Sequence, residues 1–514
     1  MYTFSSKLKT FSIILMVLGI LGIGYGFLTA PKDIAGVQKI LDGRDSHGAH
    51  GEAHGAGHSG ADDTHHATEA ETHADAEHGT TVSDKLASHS DEVAAGHGNA
   101  VSDSTAAPQD GGHDETAAVA QKAHHDNYEG PSHGQTAADA HAEHEKHLEH
   151  LLHQMQNKPW AALYVACIFI MLLSLGALVF YAIQQVAQAG WSPVLFRVMM
   201  GITSYLPVGS VLFFIFLLCI AFHVGGNHLF IWTDATIAQE DAIIAGKSGY
   251  LNVPFWLIRA AIFLIGWNLY NFYTRKYSLL QDEANDDFYY KKNFKMSAAF
   301  LVFFIVSESI MSWDWIMSID PHWYSTLFGW YVFASFFVSG ITMIALVTLY
   351  MKSKGLLPYV NNSHIHDLAK FMFGISVFWT YLWFSQFMLI WYSNIPEEVT
   401  YYVTRIEDYN LPFFGMIVMN FVFPILILIN TDFKRLTWII VLAGIVILAG
   451  HYIDFFNMIM PASVGKEWFI GVPEVASLMF FAGLFIFVVF SSMAKLPLLA
   501  KRNPLVEEST HFHY

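Results

Sequence analysis

Cysteine is scarce. The 514 residues hold two, Cys167 and Cys219, each inside an apolar run. No Cys-x-x-Cys pair and no Cys-x-x-Cys-His occurs. A four-thiolate iron–sulfur cluster and a covalently attached c-type haem are therefore excluded on this chain. Charge is scarce too: 14% of residues are Asp, Glu, Lys or Arg, against roughly 25% in soluble domains. With 54% apolar residues, that balance marks an integral membrane protein embedded in a lipid bilayer. The apolar part lacks strand-like alternation, which excludes a β-barrel. It also lacks the basic patch that nucleic acid requires, so no nucleic-acid partner is expected.

What acidity there is belongs to one segment. Residues 41–155 carry 22 acidic against 4 basic residues, which accounts for the formal charge of −17. This stretch is rich in His, Ala, Gly, Asp and Glu and nearly free of Ile, Phe and Trp. It cannot bury enough apolar surface to offset chain entropy, so 31–157 reads as a largely disordered segment, turning helical over 140–160. Its imidazoles suit Zn, Ni or Cu. A passive solvated tether explains the composition equally well, and its acidic residues could steer a basic partner.

Long apolar runs fill the rest. Residues 11–30 give about the 20 residues that a bilayer requires and read as a retained anchor. Nine further spans follow, near 160–185, 196–223, 251–273, 296–317, 325–351, 368–392, 412–430, 437–456 and 473–494. The fold class is thus all-α, with ten transmembrane helices. Residues 1–10 and 495–514 are tails, and 158–494 form the nine-helix remainder. Lysine and arginine cluster in alternate loops, at Lys7/Lys9, Arg275–Lys295, Lys352/Lys354, Lys434/Arg435 and Lys495–Arg502. By the positive-inside rule both termini are cytoplasmic and the His-rich segment is external. Pro207 and Pro424 are expected to kink their helices.

Ionisable residues inside spans are expensive and point to function. His223, Arg259, Glu308, Asp314, His451 and Asp454 all fall toward the outer ends of their helices, and Glu474 opens the last. His451 and Asp454, three apart, share a helix face. Glu308 and Asp314, six apart, lie about 240° apart around one helix and so face different neighbours. Arg259 is read as an electrostatic partner able to neutralise Glu308. Asp314, between Trp313 and Trp315, could instead accept a tryptophan N–H at the interface. Together the six are candidates for proton handling or for a polar ligand cavity open to the outside. None forms a mid-membrane histidine pair for a b-type haem, and no metal ligand is assigned.

"SESIMSWDWIMSIDPHWYSTLFGWYVFASFF" (307–337) and "HIHDLAKFMFGISVFWTYLWFSQFMLIWYSNIPEE" (364–398) resemble the NrfD/polysulfide-reductase-type membrane subunits of alternative complex III, a bacterial quinol:electron-acceptor oxidoreductase. The likeness covers 155–514 and the first anchor, and is greater to the F subunit than to the paralogous C subunit. It implies two four-helix bundles plus two flanking helices in the inner membrane. It implies an iron–sulfur subunit, haem c subunits and the C subunit as partners. It also implies oxidation of menaquinol or another quinol near the outer face, with iron–sulfur clusters and haem c in the partners and no redox centre here. The C subunit's quinol pocket uses a His and an Asp, for which His223 and Asp314 are only approximate counterparts. Two other classes compete: a metal-ion transporter with a His-rich collector, and a structural scaffold subunit.

Overall fold

The computed structural model describes residues 2–42 and 137–513, with side chains in the second stretch from 141. The stretch 43–136, which holds most of the segment expected to be disordered, lies outside the described residues. Residues 2–39 and 137–513 pack as one body; a second unit spans 40–123, of which only 40–42 are described.

Among the described residues, ten helices are long and apolar enough to cross a membrane. They are α1 (Ser6–Thr29), α2 (Ala137–Val186), α3 (Pro193–Ala221), α4 (Val253–Gln281), α5 (Phe288–Trp315), α6 (Phe328–Ser353), α7 (Asn362–Ser393), α8 (Asn410–Leu428), α9 (Thr437–Val464) and α10 (Val472–Met493). Among the described residues there is no β-strand. Helices α2–α5 form one bundle and α6–α9 a second, while α1 and α10 pair along their lengths on the flank. We call these the first and second bundle. Ten alternating spans put both described ends of the chain at one end of the assembly, the terminal end; the opposite end is the distal end.

The first-bundle helix α2 is the keel. No charged residue occurs from 159 to 196, and a helix apolar all round belongs inside. Its apolar stretch is 94% buried, and α6 follows at 83%. The two meet backbone to backbone: a Cβ on Gly340 would fall 2.6 Å from the Ala177 nitrogen, and one on Gly176 would fall 2.5 Å from the Phe336 carbonyl. Small residues that admit such approach are how membrane helices associate without a hydrophobic driving force. At the distal end α2 runs on through the expected 140–160 helix, so at 50 residues it is about 75 Å long.

The two prolines expected to kink their helices both sit where the regular α-helix is interrupted. The α3 helix breaks at Ser204–Tyr205, and Pro207 then sits in the first turn of Leu206–Ala221, where its missing N–H is no loss. In α8, Pro424 follows a π-helical turn at Val418–Val422, which absorbs the lost hydrogen bond. At the terminal end the tail straps the loops together. The Ser509 hydroxyl donates to the Trp191 carbonyl (2.7 Å), and the Arg502 guanidinium donates to Asn285 (2.6 Å).

Candidate functional site

The first bundle holds Asp314 one residue before the end of α5. Its carboxylate is fully buried and gripped by Arg259 of α4, with Nε on Oδ2 at 2.6 Å and Nη2 on Oδ1 at 2.9 Å. Two parallel charge-assisted bonds are the strong geometry for such a pair. The sequence expectation that Arg259 neutralises Glu308 is corrected here. Arg259 lies between the rings of Tyr250 (4.0 Å) and Phe255 (4.2 Å) and reaches Asp314. Nor do the flanking tryptophans serve Asp314. Its backbone carbonyl accepts from Trp256 Nε1 (2.9 Å) and the Ser318 hydroxyl (2.7 Å).

Glu308 lies two helical turns deeper, buried, with only the hydroxyls of Ser309 (3.2 Å) and Ser312 (3.3 Å) on its carboxylate. Among the described residues no basic side chain pairs with it. The six-residue spacing therefore separates the two carboxylates into different surroundings.

Tyr250 connects Asp314 to the outside. Its hydroxyl donates to Asp314 Oδ1 at 2.8 Å, and its ring walls a cleft of about 450 Å³ at the distal end. Burial first, then the negative Asp314, pushes the Tyr250 hydroxyl above its ordinary range, so it remains a donor. The cleft is lined with aromatics, Trp313, Trp323 and Tyr324 among them, with Lys247 and Asp320 as its charged residues. The indole N–H groups of Trp313 and Trp323 are buried and have no hydrogen-bond partner among the described residues. Lys247 is fixed over the Tyr324 ring (5.8 Å) and donates to the Pro321 carbonyl (2.5 Å). Asp241, capping the short helix Ala242–Gly246, accepts from the His322 ring at 2.6 Å and ties the two cleft loops together.

The second bundle holds His451 and Asp454 on α9, both fully buried. Asp454 accepts from the Ser335 hydroxyl (2.7 Å), from Trp379 Nε1 (2.8 Å) and from the Tyr331 hydroxyl. Because Ser335 donates to Asp454, its oxygen is left to accept from His451 Nδ1 at 3.0 Å. That bond favours a proton on Nδ1, while Nε2 has no hydrogen-bond partner among the described residues. The π-turn in α8 brings Asn420 alongside, 3.4 Å from Nδ1, and Gly450 makes room, since a Cβ there would fall 2.1 Å from Asn420 Oδ1.

His223 joins neither cluster. It sits at φ 49° in the loop after α3, with its ring nitrogens 2.9 Å from the Asn227 carbonyl and 3.4 Å from that of Thr233. Its ring neighbours His228, which stacks on His153 of α2 at 4.5 Å. It holds a loop, and it does not form a His–Asp pair with Asp314. Glu474 caps its own helix, accepting from the Gly471 N–H at 2.8 Å.

Sequence reading missed several partners. Tyr250, Tyr331, Ser335 and Trp379 belong to residue types common in membrane helices, so nothing singled them out. Arg197 carried a signal, as a lone arginine inside a span. It is fully buried and ion-paired with Asp282 at the terminal end, so the buried charges are not confined to the distal half. Among the described residues no group of three or more His, Cys, Asp or Glu converges to hold a metal ion. No known family's sequence model matches the chain, and no characterised protein matches it in sequence.

Proposed function

We propose that the chain is a membrane subunit of a respiratory quinol-oxidising complex, similar to the F subunit of alternative complex III, and that the distal cleft receives the quinol ring. One observation carries the reading: the Tyr250 hydroxyl lies between an aromatic cleft and a buried, arginine-paired carboxylate. A flat apolar ring fits aromatic walls, and the idle N–H groups of Trp313 and Trp323 suit ring oxygens. Polar groups few in number within a largely apolar cleft are the common pattern of small-molecule sites.

The residues supply a proton route. A quinol hydroxyl gives its proton to the Tyr250 oxygen while Tyr250 passes its own to Asp314. Arg259 holds the carboxylate in place before transfer. The two electrons leave to iron–sulfur or haem centres in partner subunits, since this chain carries no thiolate ligand set for them. With the positive-inside rule, the distal end faces the outside of a bacterial inner membrane, where the released protons emerge.

The test is purification of the tagged full-length chain in mild detergent. Iron and haem c should co-purify and quinol should reduce them. Asp314→Asn and Tyr250→Phe should leave subunit composition intact and lower turnover at least tenfold. A chain that purifies without iron or haem, or Asp314→Asn complexes with unchanged turnover and pH profile, would overturn the proposal.

A further inference from the structure

A second chamber lies behind the cleft, in the second bundle. It is about the size of one water molecule and is walled by Tyr331, Gln386, Tyr401, Tyr402, Arg405 and Asn457 among others. Gln386 Oε1 and Asn457 Oδ1 are buried and have no hydrogen-bond partner among the described residues. Orphaned buried acceptors around a water-sized space call for a water.

The chamber touches both functional clusters. On one side Tyr331 is a wall residue and donates to Asp454. On the other, Tyr401 is a wall residue whose ring stacks on Trp323 at 4.0 Å and 15°. Trp323 is also a wall of the cleft. The Trp323–Tyr401 stack is therefore a shared partition between cleft and chamber. Arg405 lies over the Tyr401 ring at 3.3 Å and donates to the carbonyls of Tyr401 (2.7 Å) and Asn457 (3.0 Å). A fixed cation here disfavours a standing hydronium, so a proton entering the chamber must move on. The accepting base is Asp454, whose protein donors are all uncharged apart from the option of His451.

We infer that Asp454 is a second proton acceptor for the distal cleft, reached through the chamber water and Tyr331. The step is a pure proton relay. Tyr331 gives its hydroxyl proton to Asp454 Oδ1 and takes one from the chamber water, which is recharged from the cleft past the Trp323–Tyr401 partition. The inference rests on reading the cleft as the place where quinol releases protons. It adds that two protons leave by two routes, one per bundle.

Reaction-induced infrared difference spectroscopy on the assembled complex, with decyl-quinol as probe, tests this. Two protonated-carboxyl bands are expected on turnover, one lost in Asp314→Asn and the other in Asp454→Asn. Tyr331→Phe should remove the Asp454 band and keep the Asp314 band, because Ser335 and Trp379 still hold Asp454 in place. Gln386→Met, a milder change that dries the chamber, should slow the rise of the Asp454 band at least tenfold. An Asp314 band without any Asp454 band overturns the inference and leaves the function proposed for the cleft standing. An Asp454 band that persists unchanged in both Tyr331→Phe and Gln386→Met also overturns it. Absence of both bands counts against the cleft reading itself and the inference with it.

Discussion

The two bundles each bury an aspartate near the distal end, and they hold it by opposite means. In the first, Asp314 has a dedicated cation, Arg259, clamped between two aromatic rings. In the second, Asp454 is surrounded by hydroxyls, an indole and the imidazole of His451 at 3.6 Å. An ion pair favours the charged carboxylate, so on the function proposed above Asp314 would carry a proton only in passing. Asp454 has no dedicated cation beside it, so a proton there would be held longer. The difference also says where damage should be greatest, because a buried charge stripped of its partner is left with no compensation.

The largest effect should follow Arg259→Met. It leaves Asp314 unpaired, and breaking a buried pair from one side costs roughly 3–5 kcal/mol. The thermal unfolding temperature of the purified protein, or its yield, should drop sharply, and Arg259→Met/Asp314→Leu should recover most of the loss. If the double variant is as poor as the single, the pair is not the reason for the loss.

Asp454→Asn should be milder. Asparagine keeps one acceptor oxygen, so one donor of the Ser335–Trp379–Tyr331 set loses its partner, at about 1–3 kcal/mol. A loss equal to that of Arg259→Met would erase the proposed contrast between the two bundles. Glu308→Gln should be smaller again, within about 1 kcal/mol, because Ser309 and Ser312 can bond an amide as well as a carboxylate. Melting curves of the two variants side by side decide the order.

The smallest effect concerns the loop over the cleft. Burial raises the Asp241 pKa, but hydrogen bonds from His322 and from the amides of Ile244 and Ile243 outweigh it, leaving the group below its ordinary value. A depressed carboxylate contributes stability that is present above its unfolded pKa of about 3.9 and is lost as pH falls through the folded value. Loop 222–252 should therefore be proteolysed faster below about pH 4, and Asp241→Asn should flatten that dependence. Equal acid sensitivity in the variant would show that another group is responsible.

Much of this architecture was readable beforehand because lipid imposes simple rules. Ten apolar runs became ten described helices, and rare ionisable residues inside them led to Asp314, Arg259, His451 and Asp454. What escaped was pairing. Residue spacing on α5 separates Glu308 from Asp314, but it cannot say which of them meets Arg259 on α4. That depends on how α4 and α5 pack, and on a loop that folds Tyr250 back over the pair. Serine, tyrosine and tryptophan partners are likewise invisible, since the same residues serve as ordinary membrane-helix filling. The Trp323–Tyr401 stack joins parts of the chain separated by all of α6 and α7, with no local pattern to announce it.

The pairing of α1 with α10 has a consequence in time. Gly19, Gly22 and Gly26 form a groove on α1 against Phe480, Ala476 and Pro473 of α10, and Gly483 returns the fit against Ser12 and Leu15. The apolar window of α1 is only 17% buried even in the finished molecule. During synthesis α1 emerges before α10, so its groove waits in lipid while the eight spans between them are made. Closure of this pair therefore follows synthesis of all the spans between them. A chain stalled before residue 472 would present an open glycine groove that quality-control machinery in the membrane could recognise as unfinished.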